Sequence, residues 1–157
     1  GTDEARQIYE IREALEAAMA RHFVERATPA QRTALDAAAR RIEETIFGPG
    51  LDAYVAALDG FTDALIAGAD NAVARQMLRL LGARMTYLRT ITARAASRDH
   101  KQRTLEGVRQ IAGALADRDA DMAEAACRAY VRRSATFALA LLRAREDADP
   151  PGSATTA

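Results

Sequence analysis

The chain has no tryptophan, a single cysteine, and aromatic residues at only 5% of its 157 positions. One thiol excludes an internal disulfide, so whatever holds the fold is non-covalent. That thiol, Cys127, lies among alanines and is expected to pack as a small apolar group. Net charge is missing too, because 22 basic residues balance 22 acidic ones. A dedicated nucleic-acid surface is usually basic, so the balance argues against DNA contact through this chain. The charges are interspersed, with neither a polybasic arm nor an acidic tail. No run of about 18 apolar residues is present, and no secretory signal peptide is expected. Cytoplasmic location is the default expectation, with no membrane partner. The opening Gly1-Thr2 is expected to be either a cloning scar or a cut within a longer protein.

Motifs that carry chemistry are missing as well. No serine stands in a Gly-x-Ser-x-Gly setting, and no glycine-rich loop could cradle a phosphate. His22 and His100 are the only histidines, and neither belongs to a cluster with metal-ligand spacing. No Glu-x-x-His pair of the carboxylate-bridged metal bundles occurs. Asp59 and Asp63 sit one turn apart, but helix arithmetic puts both on a solvated face. An enzyme is therefore the least expected class.

What is present is a recurring three-four spacing of apolar residues, the mark of amphipathic helices. The length suits one domain with a sizeable core. The spacing predicts a first helix over about Asp3 to Arg26 and a second to about Ile46. Thr28, Pro29 and Gln31 form a capping box at the start of the second. A third helix is expected over about Leu51 to Ala67, after Gly48-Pro49-Gly50. A fourth follows over about Asn71 to Ala96, and Ser97 to His100 interrupts the pattern. A fifth is expected over about Gln102 to Ala116. A sixth, capped by Asp119, runs to about Arg145. Short links between such helices predict an all-α antiparallel bundle of about six to seven helices. The domain is placed at residues 1–146, with 147–157 as a disordered tail rich in Pro, Gly, Ser, Thr and Ala.

Two arginines fall where this periodicity expects apolar residues. Arg12 lies within the stripe Ile8, Ile11, Leu15, Met19, Phe23. Arg84 lies within Val73, Met77, Leu80, Leu81, Leu88, Ile91. A guanidinium cannot lose its proton to escape burial, so it needs an anionic partner or water. One reading gives the partner as a guest anion inside the bundle. The other gives it as a nearby carboxylate such as Glu13 or Glu16, or lets the side chain snorkel. Helix wheels put Thr62, Tyr130 and Ser134 on inward stripes as well, and His22 on that of the first helix. Together, Arg12, Thr62, Arg84, Tyr130 and Ser134 make a candidate anion pocket walled by Leu58, Val108 and Phe137. Each hydroxyl also has a purely structural alternative, since helical Ser and Thr often bond their own preceding carbonyl.

Ile8-Tyr9-Glu10-Ile11-Arg12-Glu13-Ala14-Leu15-Glu16 resembles the opening helix of the FCD domain. That is the C-terminal effector-binding domain of the FadR-type branch of GntR transcription regulators. Glu25-Arg26-Ala27-Thr28-Pro29-Ala30-Gln31 is similar to the family's link into its second helix. Phe61, Leu65 and Asn71 resemble its central motif, and Ala114-Leu115-Ala116-Asp117-Arg118-Asp119 its closing unit. The resemblance covers about Asp3 to Arg145. It implies a homodimer, a small organic acid or other anionic effector, and operator DNA bound through an N-terminal winged-helix domain outside this chain. Many members hold a metal in the bundle core with one aspartate and three histidines. Matched by these motifs, the four positions here carry Leu58, Thr62, Val108 and Tyr130, so the resemblance implies no metal cofactor. An acyl-CoA-type ligand and a purely structural dimerisation module remain as alternative functions.

Overall fold

A computed structural model describes residues 1–150 and 152 of the chain. Among the described residues there are six helices and no strand: α1 (Thr2–Arg26), α2 (Pro29–Ile46), α3 (Leu51–Ala69), α4 (Ala72–Ala95), α5 (Arg98–Ala116) and α6 (Ala120–Ala148). Local chemistry sets the boundaries. Thr28 Oγ1 accepts from Gln31 N at 3.2 Å, and Thr28 N donates to Gln31 Oε1 at 2.9 Å, which completes the capping box. Asn71, Ser97 and Asp119 each accept from the backbone N–H three residues on and so cap α4, α5 and α6. Ser97 as a cap shortens the expected interruption, so α5 begins at Arg98 rather than near Gln102. Asp70 turns the chain between α3 and α4 in the left-handed region, at φ 51°. Asp147 and Ala148, expected in the tail, continue α6. Residues 151 and 153–157 of that tail lie outside the described residues.

The first and last helices run antiparallel, as cross-links between them record. Thr2, Glu13 and Arg21 of α1 meet Glu146, Arg132 and Glu124 of α6 in reverse order. Glu43 of α2 pairs with Arg109 of α5 at 2.6 Å. At the C-terminal end of α1, Arg32 donates to the carbonyls of Phe23, Val24 and Leu115, satisfying helix-end acceptors on two elements.

The interior divides into two apolar clusters. The larger gathers Met19, Phe23, Leu35, Ile42, Leu65, Val108, Ile111 and Leu115. The smaller gathers Ile8, Tyr9, Ile66, Leu78, Met85, Leu88 and Val131. Leu15 and Tyr130 pack against both. Along α1 the changeover falls at Arg12 and Glu16, both buried. Polar groups therefore occupy the seam between two oily volumes.

Helix α4 departs from the sequence expectation. Val73, Met77 and Leu80 do not face inward; they are 69%, 43% and 75% exposed, and Tyr87 is 61% exposed. The residues that enter the core are Ala74, Leu78, Met85 and Leu88, with Ile91 also buried. Val73 and Ala74 differ by about 100° around the helix, so two apolar faces lie side by side. Periodicity alone selects the more hydrophobic face, here the exposed one. Ile11 on α1 is outward for the same reason, at 47% exposure. α4 also carries five arginines and no acid, so its charge balance comes entirely from other helices.

Candidate functional site in the polar seam

Arg84 does not enter the bundle, contrary to the periodicity. It points outward with its side chain 59% exposed, and its Nε sits 2.9 Å from Glu4 Oε1. The cation that α4 does send inward is Arg89, whose side chain is 12% exposed. Arg89 pairs with Asp59, and its Nη2 donates to Thr62 Oγ1 at 2.7 Å. Asp59 also accepts from Thr86 at 2.9 Å, so both its oxygens clamp α3 to α4. Asp59 is thus half-buried in a lock, not part of the expected solvated face. The sequence pattern does not single out Arg89, because it lies outside the stripe of Val73, Met77, Leu80, Leu81, Leu88 and Ile91. The signal was the register Ala74, Leu78, Leu81, Met85, Leu88, which brings position 89 to the border of the inward face.

Arg12 is inside, as the spacing predicts, but it already has a counter-ion. Its Nε donates to Glu16 Oε2 at 2.9 Å, with both side chains buried. Burial works against the Arg12 charge, yet Glu16 and Tyr9 outweigh it and raise the guanidinium's affinity for its proton. The guanidinium carbon also lies 5.2 Å from the centre of the Tyr9 ring. Both arginines singled out from sequence are therefore paired with the protein's own acids. An argument from unpaired cations does not hold for either.

Two small cavities border this seam. One, of about 40 Å³, is lined among others by Tyr9, Arg12, Tyr54, Arg89, Tyr130 and Ser134. Leu58 and Phe137 also wall it, as expected. The other, of about 20 Å³, meets Glu16, Leu58, Thr62, Arg89, Cys127 and Tyr130. Leu58, Arg89 and Tyr130 belong to both. Such volumes hold water and not an organic acid, whose pockets typically measure about 300–1,000 Å³. Among the described residues, no hydrogen bond engages the Tyr9, Tyr54 or Tyr130 hydroxyls. Burial raises all three above the usual tyrosine range, so they stay neutral and able to donate. His100 closes one end of the larger cavity by stacking on Phe137, with ring centroids 3.8 Å apart. Its pKa is lowered, first by burial and then by Arg133 and Arg103.

Ser134 lines the larger cavity, but its hydroxyl donates to the Tyr130 carbonyl one turn back, at 3.0 Å. Thr62 is buried and serves Arg89. Val108 is fully buried in the larger cluster and borders neither cavity; it faces the cleft between α2 and α5. It therefore does not join Leu58 as a wall. His22 is half-buried, with Nδ1 3.7 Å from Glu25. Cys127 is buried, and burial pushes its thiol up, which suits packing and not nucleophilic attack.

Metal chemistry has few donors to draw on. Leu58 and Val108 offer none, and the Thr62 oxygen already accepts from a cation. Among the described residues no three His, Cys, Asp or Glu side chains gather closely enough to hold an ion. No helix of these residues is long and apolar enough to cross a membrane. The family model of the FCD domain matches residues 7–133. No curated protein matches the chain.

Proposed function

The chain belongs to the FCD domain family, the regulatory domains of GntR-type transcription regulators, and from that premise we propose that it senses a small organic anion within a homodimer. The observation that carries the proposal is the convergence of Arg12, Arg89 and three unengaged tyrosine hydroxyls on one cavity. A carboxylate placed there would meet charge-assisted donors on α1 and α4 and neutral hydroxyls on α1, α3 and α6. Both arginines are paired with acids, and what they still offer a guest is donors: the two terminal nitrogens of Arg12, whose Nε alone is bonded to Glu16, and the Nε of Arg89. Admission of a guest requires the seam to widen. An effector that favours the widened arrangement shifts the population toward it, and DNA-binding partner domains outside this chain would read the shift in the cytoplasm. The exposed face of α4, with Val73, Met77, Leu80 and Tyr87, is the surface we assign to the second copy. Its spacing is that of a helix-pairing seam. Catalysis has no place in the reading.

The small volume of both cavities favours a second reading, a dimerisation module with no guest. A thermal-shift screen of carboxylates against the chain separates the two. The sensor reading expects at least one acid to stabilise the fold, by about 2.7 kcal/mol at a hundred times its Kd. That gain should vanish in Arg89→Gln and shrink in Tyr130→Phe. No stabilising acid, or equal gains in the variants, would overturn it. Sedimentation of Leu80→Glu reads the dimer separately.

A further inference from the structure

We propose that the cleft between α3 and α4, which shares Arg89 and Thr62 with the interior seam and lies on the outer side of their lock with Asp59, is a second anion site that takes a compact anion bearing two or more negative charges. The cleft encloses about 440 Å³, within the usual range of small-molecule sites, whereas the interior cavities fall far below it. Arg75 and Arg79 line it one turn apart on α4. Both are exposed, and among the described residues neither has a carboxylate within ion-pair distance. This sets them apart from Arg84 and Arg89 on the same helix, each of which is tied to an acid. Asp59 also borders the cleft, but Arg89 and Thr86 consume both its oxygens. Asp63 is the remaining acid, which leaves two free guanidinium forks against one carboxylate.

The shape agrees with the charge. Gly82 lies between the arginines and Thr86, and a Cβ there would meet nothing within 4 Å, so the wall of the cleft is open at its middle. Ile66, Leu78 and Met85 supply an apolar floor, and Thr62, whose oxygen accepts from Arg89, supplies a hydroxyl proton; that of Thr86 already goes to Asp59. Two forks one turn apart match the spread oxygens of a polycarboxylate or phosphate better than a single carboxylate. The site also stays clear of the face assigned to the second copy. Arg75 and Arg79 stand about 200° and 240° around α4 from Val73, so pairing through that stripe leaves the cleft in solvent.

Titration calorimetry at low salt tests the site with citrate as probe and acetate as its single-charge counterpart. The proposal expects citrate to bind and acetate to bind at least tenfold more weakly. The double variant Arg75→Gln/Arg79→Gln, at two exposed positions, should lose at least tenfold in citrate affinity while melting like the parent. Arg40→Gln/Arg41→Gln removes the same net charge from α2 and should bind citrate as the parent does. Tyr130→Phe, which alters only the interior seam, should do the same. Asp63→Asn should tighten binding. Absence of citrate binding, equal loss in both arginine pairs, or full affinity in Arg75→Gln/Arg79→Gln overturns the outer site. Tyr130 lines both interior cavities and not this cleft, so Tyr130→Phe keeps failure of the outer site distinguishable from failure of the interior reading.

Discussion

Replacing Glu16 by glutamine asks whether Arg12 belongs to the framework. The two side chains are 3% and 8% exposed, with Nε 2.9 Å from Oε2. Two unit charges about 4 Å apart attract by about 4 kcal/mol at an effective dielectric near 20. The Tyr9 ring face offers the guanidinium only about 0.5–2 kcal/mol in compensation. Glu16→Gln leaves a buried cation that cannot shed its proton, and is expected to cost about 3–5 kcal/mol. Arg12→Met combined with Glu16→Met removes both charges and is expected to be neutral or stabilising by up to about 4 kcal/mol. Urea unfolding followed by circular dichroism reads both, and equal m-values keep the comparison valid. A cost below about 1 kcal/mol for Glu16→Gln would refute the reasoning, because it would mean that Arg12 is solvated well enough to need no counter-ion. Glu16→Gln also vacates a carboxylate position beside a fixed guanidinium. An added organic acid that rescues the variant more than it stabilises the parent would show that an external carboxylate can occupy that position.

Two further predictions concern the walls of the seam and the packing behind it. Gly68→Ala would put a Cβ 2.3 Å from two ring carbons of Phe23, itself only 1% exposed, so a cost of about 1–3 kcal/mol outweighs the gain in helix propensity. Gly60→Ala meets nothing within 4 Å and is expected to stabilise by about 0.5–1 kcal/mol; thermal melts that move both variants the same way would contradict the packing. His100 has its folded pKa lowered by burial and by Arg133 and Arg103, so the unfolded chain binds the proton more readily. Its contribution to stability is complete above the ordinary histidine value of about 6.5 and is lost as pH falls below it. His100→Phe is expected to flatten the fall in stability between about pH 7 and 5, and matching slopes in parent and variant would remove His100 from that role.

Much of the fold is legible in the chain because its signals are local. Thr28-Pro29-Ala30-Gln31 carries its own cap, and Asn71, Ser97 and Asp119 mark helix starts within a single turn. The site was only partly legible because its placement is not local. Arg12, Leu58, Tyr130, Ser134 and Phe137 fall at one cavity as helix wheels predict. Arg84 and Val108 do not. Arg84 failed because α4 has two adjacent apolar faces, and nothing in one chain says which of them a protein keeps for itself. Val108 failed because a wheel fixes a direction from the helix axis, not the height at which a cavity lies along it. Asp59 and Arg89 depend on how α3 meets α4, a contact that no spacing within either helix records.

The all-cationic make-up of α4 has a consequence for how the bundle breathes. With no acid of its own, this helix is fastened electrostatically by Glu4 of α1 and by Asp59 of α3. The Glu4 fastening is exposed and the Asp59 one only half-buried, so added salt weakens the first more than the second. Amide hydrogens of α4 should then exchange faster as ionic strength rises, ahead of those in α1 or α6. Fraying of this one helix would uncover Arg89 from outside, and the composition of the surrounding solution would set how often the seam is open to visitors.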